Sequence, residues 1–201
     1  MPQPCAHARL VHRHVTAPIS HGATFVAMSA LVVYGDLVSK WLAVTLWAGE
    51  THPLAAGLRI QVVYNSLGAF STSLGHLTWE INVATTVMAV LLSSAVSGRL
   101  AALDATAPAT LGLVAGAGLG NLASLLGSSA GVPDFLAVSD GRGGALVLNL
   151  ADIAAYLGIV CCVRLAVGLM RARARDTRRR TPHAATPHGA PYASRRTQRA
   201  Q

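Results

Sequence analysis

Apolar residues in this chain gather into four long runs, at 22–48, 79–97, 105–127 and 146–170, with polar, turn-rich segments between them. Each run is close to or above the ~20 residues a helix needs to cross the hydrocarbon core of a bilayer. The third run is rich in Gly, Ala and Thr, which suits close helix–helix packing better than a lipid-facing wall. Between the first two runs, LRIQVVYN (58–65) alternates so that Leu58, Ile60, Val62 and Tyr64 share one face of a short strand. The segment SSAGVPDFLAVSDGRGG (128–144) carries Gly, Pro, Ser and Asp throughout and reads as an irregular loop. These patterns predict an all-α membrane protein with four transmembrane helices and a small extracytoplasmic β-containing loop region. They divide the chain into a tail (1–21), a four-helix membrane domain (22–170) and a basic, disordered tail (171–201).

Composition agrees with a membrane protein. The 201 residues are 52% hydrophobic and 12% charged, with a mean hydropathy of +0.47. A soluble domain carries about 25% charged residues. The net charge is +8, but ten of the sixteen basic residues lie from Arg164 to Arg199. Such a tail sits beside anionic lipid, and no nucleic-acid partner is expected. With both termini cytoplasmic, Arg9, Arg13, Arg99 and the nine arginines from Arg171 to Arg199 share one side, and Arg59 and Arg142 face the other. That asymmetry is the positive-inside pattern. Cys161 and Cys162 are adjacent and Cys5 is isolated, so the cysteines offer no disulfide framework. The first twenty residues contain no apolar run of the kind a signal peptide needs.

Polar residues inside the runs are few, and helix direction collects them. With alternating spans, Asp36, Lys40, Glu80, Asn121, Asn149 and Asp152 all fall in the outer half of the membrane. Asp152 is expected about six residues inside its run, roughly 9 Å deep at the helical rise. Asp134, in the second outer segment, can fold over the same region. Asp36 and Lys40 are four apart and share a helix face, which favours a structural ion pair. Asp152 has no basic residue one turn away; its neighbours there are Leu148, Asn149 and Tyr156. An acid without a salt partner, close to a second acid, can share a proton and do acid–base work. Asp134 is the foremost candidate for that second acid. Asp140 is the rival, in SDGRGG, which reads as an exposed turn beside Arg142.

At these residues the chain resembles the lipoprotein signal peptidases, the signal peptidase II family of bacterial inner-membrane aspartyl proteases. GDLVSKWLA (35–43) is similar to the family's Asp-x-x-Ser/Thr-Lys block, and NSLGAFS (65–71) to Asn-x-Gly-Ala-Ala-Phe-Ser. GAGLGN (116–121) with PDF (133–135) is similar to the Gly-Asn block and the following Val-Asp-Phe. LNLADIA (148–154) is similar to Phe-Asn-x-Ala-Asp-Ser. The resemblance implies that Asp134 and Asp152 form a catalytic dyad, one activating a water and the other polarising the scissile carbonyl. It implies substrate-binding or orienting roles for Asn65, Asn121, Asn149, Asp36 and Lys40, and no metal, cofactor or covalent nucleophile. The implied substrate is a prolipoprotein whose lipobox cysteine carries a diacylglycerol, cleaved just before that cysteine. The implied setting is a multi-pass protein of the bacterial plasma membrane, working as a monomer with membrane lipid around it.

The chain departs from the family pattern at five positions. Ser124 and Leu125 stand where Asp and Arg are usual, Leu67 and Gly68 where Gly and Ala are, and Ile153 where Ser is. Leucine cannot donate the hydrogen bonds of an arginine. The segment carrying Asp134 is therefore expected to be mobile, or held by Leu125, Leu126 and Phe135. The alternative reading is a catalytically weak or inactive relative that binds lipidated peptides or a partner protein. A small transporter with a proton-relay carboxylate is disfavoured, because the inner half of the bundle lacks the polar residues a path needs.

Overall fold

The computed structural model describes residues 20–66 and 77–180. Its elements in chain order are α1 (His21–Trp47), β1 (Thr51–Ala55), β2 (Leu58–Asn65), α2 (Thr78–Ala101), α3 (Ala107–Gly127), β3 (Val132–Ser139), β4 (Ala145–Leu148) and α4 (Leu150–Arg180). All four helices are long and apolar enough to cross a membrane. The chain divides into two compact units, 1–162 and 163–201. The described part of the second unit is the distal length of α4. The departure at Leu67 and Gly68 lies outside the described residues.

In the first unit α3 is the packing centre, in contact with both α1 and α2. Its small residues explain this. Gly112, Gly116 and Gly120 recur every four residues and so fall on one helix face. A Cβ on Gly116 would lie 2.7 Å from the Ser29 carbonyl oxygen, and one on Gly112 would lie 2.8 Å from that of Phe25. The two backbones approach as closely as side-chain-free positions allow, and van der Waals contact replaces the hydrophobic effect that lipid cannot supply. The Ser29 hydroxyl adds a hydrogen bond to the Gly112 carbonyl at 3.2 Å.

The four strands form one antiparallel sheet in the order β1-β2-β3-β4. Here three expectations are corrected. The segment 128–144 is largely ordered: residues 132–139 form β3, paired with β2 on one edge and β4 on the other. Only its ends are turns, at Gly131 (φ 104°) and at Gly141 and Gly143 (φ 72° and 93°). The turn-forming residues there mask a strand because Pro133 sits at its start, where strands tolerate proline. Second, Ala145–Leu148 is strand β4 rather than the first turn of the last helix, since it completes the pairing of β3. Third, the alternation of Leu58, Ile60, Val62 and Tyr64 does not persist along β2, because the register shifts between Ile60 and Val63. At the far end, α4 continues beyond Met170 to Arg180. Arg and Ala are strong helix formers, and residues 171–180 hold neither Gly nor Pro to stop the helix.

Candidate active site

The chain enters α4 through a reciprocal cap. Asn149 is the residue before the helix, and its carbonyl accepts the Ile153 N–H at 3.3 Å. The Asn149 Oδ1 accepts the Asp152 N–H at 2.9 Å, and the Asp152 Oδ2 accepts the Asn149 N–H at 3.0 Å. This is the geometry of a capping box, with Asn and Asp in the two roles. Asp152 is therefore in the first turn of α4. Its expected place six residues inside the helix is corrected, because β4 takes the residues that were assigned to that turn.

The same asparagine reaches the second acid. Asn149 Nδ2 donates to Asp134 Oδ1 at 2.6 Å and to Asn121 Oδ1 at 3.1 Å. Asn149 is 1% exposed, so its contact to Asp134 is buried, whereas Asp152 and Asn121 are half-buried. Asp134 and Asp152 are thus brought to either side of one side chain. Asp140 is not part of this cluster. It is exposed and closes the β3–β4 turn, accepting the Arg142 and Gly144 N–H groups at 2.8 and 2.9 Å.

Asn65 joins through sheet geometry. On β2, Ile60 to Val63 spans the same length as Leu136 to Asp134 on β3, so β2 carries one extra residue. Such a bulge turns the following side chains onto the opposite face. Val63 pairs with Asp134, and Asn65, two residues on, shares that face. Its side chain hydrogen-bonds Asp134. Without the bulge, Asn65 would point away from the site.

Asp36 and Lys40 form the support beneath. Lys40 Nζ lies 2.6 Å from Asp36 Oδ2, 2.7 Å from Asn121 Oδ1 and 3.2 Å from Ser124 Oγ, so three acceptors match the three ammonium hydrogens. Asp36 Oδ1 accepts the Ala151 N–H of α4 at 2.9 Å. A Cβ on Gly120 would lie 2.7 Å from Asp36 Oδ2, so glycine at that position is what lets the carboxylate fit between α1 and α3. Because Lys40 can only donate, Asn121 must turn its oxygen to it and its amide to Asp152 Oδ1, at 3.0 Å. Lys40, together with Asn149 Nδ2 on the same oxygen, thereby fixes the orientation of the asparagine that contacts the acid.

Six of the seven residues singled out in the sequence for this site, Asp36, Lys40, Asn121, Asp134, Asn149 and Asp152, meet in one hydrogen-bonded network, and Asn65 completes it through Asp134. Glu80 does not join; it is exposed in the first turn of α2. Ser124 was visible only as a departure, yet it serves Lys40. Asp134 is held by strand pairing on both edges of β3 rather than by a mobile loop, and Leu126 is exposed.

The environment sets Asp134 apart. Burial raises its pKa from an ordinary 3.8 to about 6, and the nearby Asp152 charge adds to the rise, against the opposing hydrogen bonds from Asn149 and Asn65 and the charge of Lys40. Asp152 accepts an N–H at each oxygen, the arrangement of an acceptor-only carboxylate. Two neighbouring carboxyls with different surroundings are what acid–base chemistry at one site requires.

The sequence model of Signal peptidase (SPase) II matches residues 28–167, which include every member of this network. Two solved structures share the fold, both described as bacterial membrane enzymes determined by the in meso method. The one at 2.3 Å resolution has a TM-score of 0.59 and 18% identity, covering 79% of this chain and 92% of that chain. The one at 1.9 Å has a TM-score of 0.59 and 19% identity, covering 70% and 90%. No curated protein gives a match.

Proposed function

Because this chain belongs to the signal peptidase II family, we propose that it is an aspartyl endopeptidase that removes the signal peptide from diacylglyceryl-modified prolipoproteins, cleaving before the lipobox cysteine. The observation that carries this reading is the pairing of Asp134 and Asp152 across Asn149. Asp152 is the base and Asp134 the acid. A water gives its proton to Asp152 as its oxygen adds to the scissile carbonyl carbon, and the carbonyl oxygen takes the proton of Asp134. The resulting diol collapses as Asp134 recovers a hydroxyl proton and Asp152 passes its own to the leaving nitrogen. Both carboxyls end as they began.

The position of the site fits a lipid-anchored substrate. The dyad lies where the first turn of α4 meets the sheet, at the end of a membrane span. A diacylglycerol held in the bilayer would keep the adjacent peptide bond at that depth. The distribution of arginines supports a sheet on the outer face of the plasma membrane, with both termini in the cytoplasm. The network is complete within one chain, which supports a working monomer.

Purified protein incubated with a diacylglyceryl-modified prolipoprotein peptide tests the reading. Release of the signal peptide, with the modified cysteine at the new N-terminus, is the expected result. Tight binding of the peptide without cleavage would favour the non-catalytic alternative, which rests on Leu125.

The raised pKa of Asp134 gives a pH signature. Since Asp134 holds the proton to be donated, kcat/KM should fall as pH rises through about 6. Folding stability should follow the same direction. A carboxyl whose folded pKa exceeds its unfolded value contributes fully below the ordinary 3.8 and loses that contribution as pH passes about 6. A kcat/KM profile that is flat from pH 5 to 8 would remove Asp134 from the donor role.

Ser124 and Leu125 give a second test. Ser124→Asp alone adds a negative charge beside Lys40, close to both acids, and should move the alkaline limb of the profile to higher pH. The double variant Ser124→Asp/Leu125→Arg restores the balance of charge and adds guanidinium donors for a substrate backbone. It should raise kcat/KM several-fold, chiefly through KM. A loss of both activity and stability would show that the site is built around the apolar residue.

A further inference from the structure

At the end of the bundle away from the sheet, a crevice of about 470 Å³ lies between the start of α1 and the last turns of α2. Its walls include Gly22, Phe25, Val26, Ser97, Gly98 and Arg99. It plays no part in the chemistry above. It exists because α1 and α2 both lean on α3 and touch each other only sparingly. Its wall is bare at two glycines: a Cβ at Gly22 or at Gly98 would have nothing within 4 Å.

Three features give this space a chemical character. Ser97 is 3% exposed, and its hydroxyl oxygen is buried with no hydrogen-bond partner among the described residues. An unpaired buried hydroxyl costs about 1–3 kcal/mol, so a polar ligand atom brought within its reach would be favoured. Arg99 is exposed at the rim, in the last turn of α2. The first turn of α1, with its positive dipole end, opens on the same space. Among the described residues no acidic side chain lines the crevice. Below this polar mouth, Phe25 and Val26 continue the wall as apolar surface.

We propose that this crevice binds one anionic phospholipid of the leaflet in which α1 begins, its phosphate held by Arg99, the α1 N-terminus and the Ser97 hydroxyl. The charge is complementary, and the mouth lies at the ends of two membrane spans, where headgroups sit. The acyl chains run along Phe25 and Val26 into the bilayer. The lipid would fill the wedge that α3 leaves between its two neighbours.

Native mass spectrometry of the full chain, taken from vesicles of equal parts phosphatidylglycerol and phosphatidylcholine, tests this. The wild type should retain one phosphatidylglycerol in preference to phosphatidylcholine. Arg99→Gln should cut that preference about fivefold, the worth of one arginine near an anionic surface. Gly98→Leu, whose side chain enters open space, should abolish retention while thermal unfolding shows an intact fold. Equal retention of the two lipids by the wild type overturns the proposal, as does undiminished preference in both variants. The remaining occupant is the chain's own N-terminal segment, which carries Cys5. Efficient disulfide formation between Cys5 and a Gly98→Cys variant, on adding a copper–phenanthroline oxidant to native membranes, would assign the crevice to that segment and also overturn the proposal.

Discussion

Replacing either acid by its amide, Asp134→Asn or Asp152→Asn, should lower cleavage of a lipidated prolipoprotein peptide on the order of a thousandfold, since each removes one of two coupled proton-transfer partners. The amide cannot exchange the proton, yet it keeps the shape of the side chain. Folding should survive at a modest cost. Asp152 accepts from Asn121 and from the Asn149 N–H, and an amide can replace only one of these acceptors. One donor is left unpaired, worth about 1–3 kcal/mol. Asp134→Asn replaces a carboxylate that accepts from Asn149 and Asn65 by an amide with a single acceptor oxygen. Asp140→Asn is the matched control: it changes a carboxylate in an exposed turn and should leave the rate unchanged. A gel-shift assay on the three variants, with circular dichroism to confirm folding, decides the matter. Near-wild-type cleavage by Asp152→Asn would exclude it as the base, and loss of cleavage in Asp140→Asn would reopen the choice of partner.

The spans were legible because a bilayer demands long apolar runs, and four such runs leave little choice of fold. The site was legible for the same reason. Asp36, Lys40, Asn121, Asn149 and Asp152 are polar where lipid penalises polarity, so a common destination in the outer half was the economical expectation. What the pattern hid was β structure. Strand β3 is built from VPDFLAVS, whose proline and aspartate read locally as turn residues; only pairing with β2 and β4 makes it a strand. Once β4 claimed residues 145–148, Asp152 moved from the depth of the helix to its first turn. The signal for that boundary was present in NLAD, an N-cap residue with an acid three positions on. The bulge that aims Asn65 was not legible, because no single-strand pattern reports how many residues its partner uses. Glu80 failed to join for a local reason: at the first turn of α2 it remains exposed.

The Lys40–Asp36 pair separates support from chemistry, and breaking it should produce the largest loss of stability. Asp36 is 0% exposed and Lys40 3%. Lys40→Met leaves the Asp36 carboxylate buried with, among the described residues, only the Ala151 N–H to meet it; Ser124 loses its donor and Asn121 keeps only that from Asn149. An uncompensated buried charge of this kind costs about 3–5 kcal/mol. For a chain of this length that is a fall in Tm of roughly 10 °C, read by thermal unfolding in detergent. Asp36→Leu/Lys40→Met removes both charges with side chains of similar reach, and apolar replacement of a whole buried pair is often neutral or better. The double variant should therefore recover much of the lost Tm. It should not recover activity. With no ammonium on its oxygen, Asn121 is held there only by the weaker donation from Asn149 Nδ2 at 3.1 Å, and the amide contact to Asp152 is less firmly enforced. Recovery of stability together with full activity would make the pair a structural tie alone; recovery of stability without activity makes Lys40 a positioning residue for the acid across the helix interface.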